Sequence, residues 1–369
     1  MTALVADRIQ QLRGRMKESE MDTLLVLSDE NRRYLSGFTG EDGGYGESAG
    51  ALFITENRLV LATDARFDLQ AGNQAPLYEI VCYRSGLAVQ VAEILSDLKT
   101  RCLGYEAARL TCAQFKRFNE KIGAAVEMRD ADGLLNGLRM RKDATELDIM
   151  KRSLALAEDV FERFVADDLS PGMTEKQAAW ILEKRMRESG AEGLAFPVIA
   201  AFGDNSALPH AVCGDRPLKP GEPLLFDWGA RVDGYCSDIS RSFVKGNADD
   251  LYKHVHRTVW EARARAIEMI RPGVNARDVD GAARGHIDAA GYKGRFGHGV
   301  GHGVGLAIHE PPSVGSTSEA VLEEGMVFTI EPGIYLPDWG GVRLEEMVVV
   351  QPDGALILNR LDASVPERH

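Results

Sequence analysis

Residues 224–243 read LLFDWGARVDGYCSDISRSF, a stretch in which two apolar runs flank a short polar turn. This pattern predicts a β-hairpin. If the turn is centred between Val232 and Asp233, Asp227 and Asp238 lie directly opposite each other on one face of the pair. Two like charges in such positions destabilise a sheet, whereas a cation bound between them would reverse the effect. The hairpin therefore indicates a cation site.

A second stretch, TIEPGIYLPDWGGVRLEE at residues 329–346, repeats this arrangement. A turn centred on Asp338 places Glu331 opposite Glu345, and Glu346 then faces the other side of the hairpin. Spacing alone leaves Glu345 and Glu346 open as the partner of Glu331. With the first hairpin, the sequence predicts four carboxylates that converge.

Three of the eight histidines lie in FGHGVGHGVGLAIHE at residues 296–310, namely His298, His302 and His309. The gap from His298 to His302 would suit one face of a helix, but so dense a run of glycines favours a strand or loop. Imidazole together with four carboxylates suits Mn, Co or Zn. Five such ligands fit a pair of ions about 3.5–4 Å apart with a water between them.

An internal repeat runs through the C-terminal part of the chain. In each half a long helix, a Pro-Gly pair and a shorter helix lead to a glycine- and histidine-bearing stretch, and a carboxylate hairpin follows. The matching features are Pro171-Gly172 and Pro272-Gly273, the helix-ending Gly190 and Gly291, Phe196–His210 and Phe296–Glu310, and Gly221 to Asp227 and Gly325 to Glu331. Two α+β halves of this kind can build one shared site at their interface.

The N-terminal part alternates short apolar runs with helical stretches, which predicts a small α/β domain. We place the boundary in the basic stretch Arg139–Lys142, so that the domains cover residues 1–138 and 139–369. Asp143 and Glu146 form a capping-box pattern that begins the next helix. The predicted N-terminal elements are strands at Thr23–Leu27, Ala51–Thr55, Leu59–Ala62 and Tyr78–Tyr83 and a helix at Leu87–Leu98.

Composition limits the classes of function. The 369 residues carry a formal net charge of -13, and an acidic surface repels phosphate backbones, so we expect no nucleic-acid partner. No apolar run is long enough to span a membrane, and the charged N-terminus lacks the pattern of a signal peptide. Five cysteines without a CxxC pair favour reduced thiols over a disulfide framework. We therefore expect a cytoplasmic protein that does not bind membranes.

With these motifs in view, the chain resembles the pita-bread metallopeptidases, in particular the branch of Xaa-Pro aminopeptidases and Xaa-Pro dipeptidases (prolidases). The matching segments are FPVIAAFGDNSALPHA at 196–211, both carboxylate hairpins, GHGVGHGVGLAIHEPP at 297–312, and YLSGFTG at 34–40 and TDARF at 63–67 in the N-terminal part. The resemblance implies a C-terminal pita-bread fold with an internal pseudo-two-fold, preceded by a smaller creatinase-like α/β domain.

The resemblance also implies a site and a mechanism. Two divalent ions, manganese foremost and cobalt or zinc as alternatives, would bind Asp227, Asp238, His302, Glu331 and Glu345, with Asp238 and Glu345 bridging both. Glu331 would also move a proton to the leaving proline nitrogen. His210 and His309 would stabilise the oxyanion. His298 would be a further site histidine, and Arg343 would support Glu345. Relatives are often homodimers, and the implied substrates are small proline-containing peptides.

One position departs from the pattern of the family. Many relatives, prolidases especially, carry an arginine a few residues after the His-Glu pair, where it could hold a substrate carboxylate. This chain has Ser313 in that region. The departure favours an aminopeptidase that acts on longer Xaa-Pro peptides, unless Arg216 or Arg343 takes over that role. A prolidase and a non-catalytic binding protein on the same fold remain the alternatives.

Overall fold

The computed structural model describes residues 2–42 and 48–368. The contacts divide the chain into two compact units, Met1–Arg139 and Met140–His369. No helix within the described residues combines the length and the apolar character needed to cross a bilayer.

The first unit is built on one six-stranded mixed sheet in the order β4-β3-β2-β1-β5-β6. β1 pairs antiparallel with β2 and parallel with β5. The predicted strands and the helix at Leu87–Leu98 are confirmed, with strand ends that differ by a residue at most. The elements are α1 Thr2–Glu18, β1 Thr23–Val26, α2 Asp29–Ser36, β2 Ala51–Thr55, β3 Leu59–Thr63, α3 Asp68–Gln74, β4 Glu79–Cys82, α4 Leu87–Leu98, β5 Cys102–Tyr105, α5 Cys112–Ile122, β6 Glu127–Asp130 and α6 Asp132–Arg139.

The second unit contains two larger antiparallel sheets, β20-β12-β9-β8 and β14-β13-β15-β18-β19, with β20 alone parallel to its neighbour. Two small sheets, β11-β10-β7 and β16-β17, extend the hairpins. The elements are α7 Ala144–Asp167, α8 Glu175–Glu188, β7 Gly193–Leu194, β8 Ile199–Phe202, β9 Pro223–Trp228, β10 Ala230–Val232, β11 Tyr235–Cys236, β12 Ile239–Lys245, α9 Asp250–Met269, α10 Ala276–Ile287, β13 Gly301–Gly303, β14 Glu310–Val314, β15 Val327–Ile330, β16 Gly333–Leu336, β17 Gly340–Arg343, β18 Glu346–Gln351, β19 Gly354–Ile357 and β20 Glu367–Arg368.

The internal repeat is visible in this unit. Each half has a long helix followed by a shorter one, and then three antiparallel strands in the same order, β8-β9-β12 and β13-β15-β18. The two Pro-Gly turns are held alike, because Gly172 N–H donates to the Leu218 carbonyl at 2.9 Å and Gly273 N–H donates to the Leu322 carbonyl at 2.8 Å. The repeat that the sequence predicted is therefore confirmed.

The two shorter helices of the repeat end differently. α8 ends at Glu188, and Gly190 follows with φ of 102°, as the sequence predicted. α10 ends at Ile287, and a π-helical turn continues the chain through Gly291, which has φ of 94°. A glycine in the left-handed region terminates each helical segment because it bears no Cβ to clash there.

α7 begins with the predicted capping box, in which Asp143 accepts the Glu146 N–H at 2.9 Å and Glu146 accepts the Asp143 N–H at 3.0 Å.

A core behind β9 supports the first hairpin. Farther along α7, Phe161 stacks on Trp228 with ring centroids 3.9 Å apart. Trp228 is fully buried, and side chains alternate along a strand, so its neighbour Asp227 faces the opposite side of the sheet.

Candidate metal centre

The first carboxylate hairpin has a register that differs from the predicted one. β9 and β12 pair Asp227 with Ser240, and Asp238 is therefore offset by two residues from the position opposite Asp227. The prediction that the two aspartates lie directly opposite each other is wrong. Because side chains alternate with a period of two, an even shift leaves Asp238 on the same face as Asp227.

The turn of this hairpin explains the shift. Val232 pairs with Tyr235, so Asp233 and Gly234 alone form the loop. Their φ angles are 46° and 82°, as in a two-residue type I′ turn, for which Asp-Gly is a preferred sequence. The Asp-Gly pair is thus the sequence signal for the correct register, in which the turn is centred one residue later than predicted.

The second hairpin has the register that the sequence predicted. β15 and β18 pair Ile330 with Glu346, and β16 and β17 pair Gly333 with Arg343. Both ladders share one register, which brings Glu331 opposite Glu345 between them. The predicted turn at Asp338 is confirmed, with φ of 64° at this residue.

Glu345 and Glu346 face opposite sides of that hairpin. Glu346 forms buried ion pairs with Arg241 at 3.2 Å and Arg263 at 2.8 Å. Glu345 instead accepts a hydrogen bond from Ser240 Oγ at 2.8 Å, on the side where the other acids lie. The side-chain contacts therefore separate two residues that sequence spacing could not separate.

Asp238, His302 and Glu345 bring potential ligand atoms within 4.8 Å of one another. His302 Nε2 also lies 3.5 Å from an Asp238 carboxylate oxygen and 3.4 Å from a Glu331 oxygen. Asp227 is close enough to raise the pKa of both Asp238 and Glu345 electrostatically. All five residues predicted as ligands are thus brought together.

Burial makes this group of acids costly without a cation. Desolvation, reinforced by the neighbouring carboxylates, raises the pKa of Asp238 and that of Glu345 well above their ordinary values. Desolvation likewise raises the pKa of Asp227 and raises the pKa of Glu331 to about 7. A positive charge among the acids would reverse these shifts, because it favours the ionised forms.

Two further observations test whether the group fits metal ions. Asp227 Oδ1 is buried and has no hydrogen-bond partner among the described residues, although an unpaired buried polar atom is costly. His302 Nδ1 donates to the Gly303 carbonyl at 3.1 Å, which leaves Nε2 as the free ligand atom facing the acids. Burial lowers the pKa of His302 to about 4, so the ring is neutral at physiological pH. These donors fit divalent cations.

The glycines beside His302 allow its strand to lie close to its neighbours. A Cβ at Gly301 would overlap the Thr329 carbonyl oxygen on β15, and one at Gly303 would overlap the Pro311 carbonyl oxygen on β14. The segment forms strand β13, as the glycine density favoured over a helix. The glycines therefore set the distance between His302 and the hairpin that carries Glu331.

Arg343 connects the ligands to His298. Its guanidinium donates to Asp227 at 2.6 Å, to Tyr335 Oη at 3.0 Å and to the Pro209 carbonyl at 2.9 Å. Tyr335 Oη lies 2.8 Å from His298 Nε2. Tyr335 was not predicted as a site residue, although the register of the second hairpin identifies it. Tyr335 lies two residues beyond Gly333, the partner of Arg343.

The other two predicted histidines, His309 and His210, are exposed. The ring of His309 contacts that of His302 edge to face, with centroids 4.3 Å apart and an interplanar angle of 82°. His210 follows Pro209, whose carbonyl binds Arg343, and His210 acts electrostatically on the pKa of Asp227. Both rings therefore border the acid cluster from the solvent side.

Comparisons with known proteins identify peptidase families and relatives that are similar to this chain. The family model for Metallopeptidase family M24 matches residues 148–352, and that for the Creatinase/Prolidase N-terminal domain matches residues 8–141. The Xaa-Pro dipeptidase of Pyrococcus furiosus is 33% identical over 360 residues, 96% of this chain and 98% of that protein.

Two solved structures are also similar to this chain. The Xaa-Pro dipeptidase from Bacillus anthracis has a TM-score of 0.91 and 35% identity, with coverage of 99% of this chain and 100% of that one. The X-Pro aminopeptidase from Thermotoga maritima has a TM-score of 0.86 and 35% identity, with coverage of 96% and 100%.

Proposed function

Because the chain belongs to metallopeptidase family M24, we propose that it is a metal-dependent exopeptidase that hydrolyses the N-terminal Xaa-Pro bond of peptides, as an Xaa-Pro aminopeptidase. The fold is the pita-bread fold with a creatinase-like N-terminal domain, and the protein is a peptidase. The observation that carries the proposal is the convergence of Asp238, His302 and Glu345 with further acids beside them.

The proposed ligand set for two divalent ions is Asp227, Asp238, His302, Glu331 and Glu345. When bound, the ions would lower the pKa of a shared water and polarise the carbonyl before proline. We propose manganese as the physiological metal, with cobalt and zinc as alternatives. A homodimeric state and a cytoplasmic location remain predictions.

The chain's own residues have separate tasks in this reaction. Glu331 accepts a proton and passes it toward the leaving proline nitrogen. His309 and His210, which border the acids from the solvent side, donate hydrogen bonds to the developing oxyanion. Arg343 holds Asp227 in place, and through Tyr335 it also fixes the ring of His298.

The surroundings of Ser313 support an aminopeptidase over a dipeptidase. Ser313 pairs with His302 across β13 and β14, so its side chain lies on the same face as the proposed ligand, and it is exposed. A dipeptide presents the proline carboxylate near the site, and a serine offers no charge to bind it. A longer peptide has an amide there instead.

The two arginines that could replace a cation at Ser313 are already engaged. Arg343 binds Asp227 and Tyr335, and its side chain is 3% exposed. Arg216 pairs with Asp204 at 2.9 Å and with Glu222 at 2.7 Å. Neither guanidinium is free for a substrate carboxylate, which favours substrates longer than two residues.

The alternative is an Xaa-Pro dipeptidase, since similar proteins from Pyrococcus furiosus and Bacillus anthracis carry that name. A non-catalytic binding protein on the same fold is disfavoured, because every proposed ligand position holds a residue that binds metals. A peptide-length series separates these functions. The purified protein is assayed with Mn, Co and Zn on Xaa-Pro dipeptides and on Xaa-Pro-Xaa peptides, with metal content measured in parallel.

We expect the release of the first amino acid from the longer peptides, at a higher kcat/KM than from the dipeptides. Turnover of dipeptides alone would favour the dipeptidase. No turnover of either and no bound metal would favour the binding protein.

A further inference from the structure

An ion pair on α10 holds the glycine-rich loop that precedes β13. Arg284 and Asp280, one helical turn apart, form a two-point contact in which Nε and Nη2 of the arginine each lie 2.8 Å from a carboxylate oxygen. The Asp280 side chain is 1% exposed, whereas that of Arg284 is 28% exposed. The pair is thus partly buried under the loop rather than free on the surface.

The same pair binds three backbone groups of the loop. Arg284 donates to the carbonyls of Phe296 and His298, each at 2.7 Å. Asp280 accepts the N–H of Val300 at 3.0 Å. The guanidinium also lies over the Phe296 ring, 4.3 Å from its centroid. One pair therefore fixes alternate residues of a segment whose glycines allow its backbone a wide range of conformations.

The contacts continue into the proposed site. The Phe296 ring packs edge to face on the His298 ring, with centroids 4.9 Å apart. The Val300 carbonyl accepts the Glu331 N–H at 2.7 Å. Fixing residues 296–300 thus fixes the backbone positions of both His298 and Glu331.

The first half of the repeat has a comparable contact. Glu175, at the start of α8 and 1% exposed, accepts the N–H groups of Phe202 and Gly214, each at 2.8 Å. These residues flank the loop that carries His210. In both halves, a buried acid on the helix after the Pro-Gly turn therefore holds the loop that carries a site histidine.

We propose that Asp280 and Arg284 are positioning residues, which orient His298 and Glu331 through the backbone of residues 296–300. The proposal rests on the proposed function for its effect on catalysis, and on the contacts above for its effect on the loop. Arginine is needed because its planar fork reaches a carboxylate and two carbonyls at once, which the single ammonium of lysine does not.

The first test compares Arg284→Ala with Arg187→Ala. Arg187 forms an exposed pair with Glu183 at the same helical spacing on α8, at 3.0 Å, and therefore controls for the loss of a helix ion pair. We expect kcat of Arg284→Ala to fall about 10- to 100-fold, because small displacements of catalytic groups lower the rate by such factors. KM should change by less than about threefold. Added guanidinium, far below denaturing concentrations, should restore part of that kcat. Unchanged kcat, or a loss that guanidinium does not relieve, would overturn the proposal.

The second test does not depend on turnover. Amide hydrogen exchange at Val300 and Glu331 should be faster in Arg284→Ala, while exchange at Phe202, which is held by Glu175, should match the native protein. Unchanged exchange at Val300 and Glu331 defeats the proposal even if the enzyme is active. If the native protein cleaves no Xaa-Pro peptide, the proposed function fails and the exchange experiment still decides the role of the pair. If Arg284→Ala does not fold, the same measurements are made on Arg284→Lys, which keeps the positive charge beside Asp280.

Discussion

At the scale of single residues, adjacent acids have opposite environments. Glu345 lies with Asp238 and His302, and burial with the neighbouring carboxylates raises its pKa well above the ordinary value. Glu346 is paired with two arginines. Desolvation still raises the pKa of Glu346, but two arginines offset part of the cost of its burial, whereas the carboxylates around Glu345 add to the cost and call for an added cation.

Removing a proposed bridging ligand should abolish both metal retention and turnover. We expect this of Asp238→Ala and of Glu345→Ala, because each carboxylate is proposed to bind both ions. Metal content after dialysis and kcat with metal restored are the measurements. Glu346→Gln is the control, since it changes the adjacent acid on the other face and should keep its metal. Full activity of either alanine variant with metal restored would contradict the ligand assignment.

A cation at position 313 should change the preferred substrate length. Ser313→Arg places a guanidinium on the face of His302, where it can bind the carboxylate of a dipeptide. We expect kcat/KM for Xaa-Pro dipeptides to rise about tenfold relative to Xaa-Pro-Xaa peptides, the gain from roughly one charge-assisted hydrogen bond. Ser313→Gln has similar bulk without the charge and should leave the ratio near its native value. An equal effect of both substitutions would show that charge is not the cause.

At the scale of elements, β13 depends on glycine for its distance from β15. Gly301→Ala should displace the strand and His302 with it, because the new Cβ would overlap the Thr329 carbonyl. We expect manganese affinity to fall about 10- to 100-fold, the range found when partners of a ligating histidine are removed. Gly297→Ala is the matched control, since a Cβ there meets nothing within 4 Å. Calorimetric titration of both variants checks this, and similar affinities would exclude a role for the close strand approach.

Another element-scale feature lies at the start of the second unit, where Lys142 forms a buried ion pair with Glu310 at 2.7 Å. The two side chains are 1% and 5% exposed. Lys142→Met should lower the free energy of unfolding by about 3–5 kcal/mol, because it removes the counter-ion of a buried carboxylate. The neighbouring pair of Arg141 with Glu323 is exposed at 49% and 54%, so Arg141→Met should cost less than about 1 kcal/mol. Urea unfolding measures both, and equal losses would refute the argument.

At the scale of the whole molecule, the repeat builds one centre from two halves. The first half supplies Asp227 and Asp238, and the second supplies His302, Glu331 and Glu345. Electrostatic coupling among these residues means that their ionisation contributes to stability as a group. Stability of the metal-free protein should therefore respond to pH.

Burial raises the pKa of Glu331 from 4.5 to about 7, so its contribution to stability is present below pH 4.5 and is lost as pH rises through about 7. Burial lowers the pKa values of His298 and His302 to about 4. Their contribution to stability therefore has the opposite pH dependence, and it is lost as pH falls through about 4. Comparison with Glu331→Gln measures the effect of removing this carboxyl, including its effect on the pKa of Asp238 and Glu345. In the presence of a metal chelator, the free energy of unfolding of the native protein, relative to that of this variant, should fall by about 3 kcal/mol between pH 4.5 and 8. A difference independent of pH would contradict the raised pKa, and added Mn²⁺ should remove the fall.

Local patterns in the sequence were sufficient for several elements of the first unit and for the repeat. Apolar periodicity predicted β1 to β4 of the first unit and the helix Leu87–Leu98 but not β5 or β6, and a capping box marked the start of α7. Opposed acids predicted the second hairpin's register. Opposed acids did not predict the register of the first hairpin, because the preference of Asp233-Gly234 for a two-residue turn places the centre of that hairpin one residue later.

The sequence by itself determined which residue types are present and in what order, and short-range periodicity indicated which positions along a strand share a face. Only the tertiary structure decided that Glu345 rather than Glu346 faces the acids, and that Tyr335 joins Arg343 to His298. It also decided that Asp280 and Arg284 hold the glycine-rich loop. These contacts join residues from separate elements, several through backbone carbonyls, and a carbonyl has no signature in the sequence because every residue carries one.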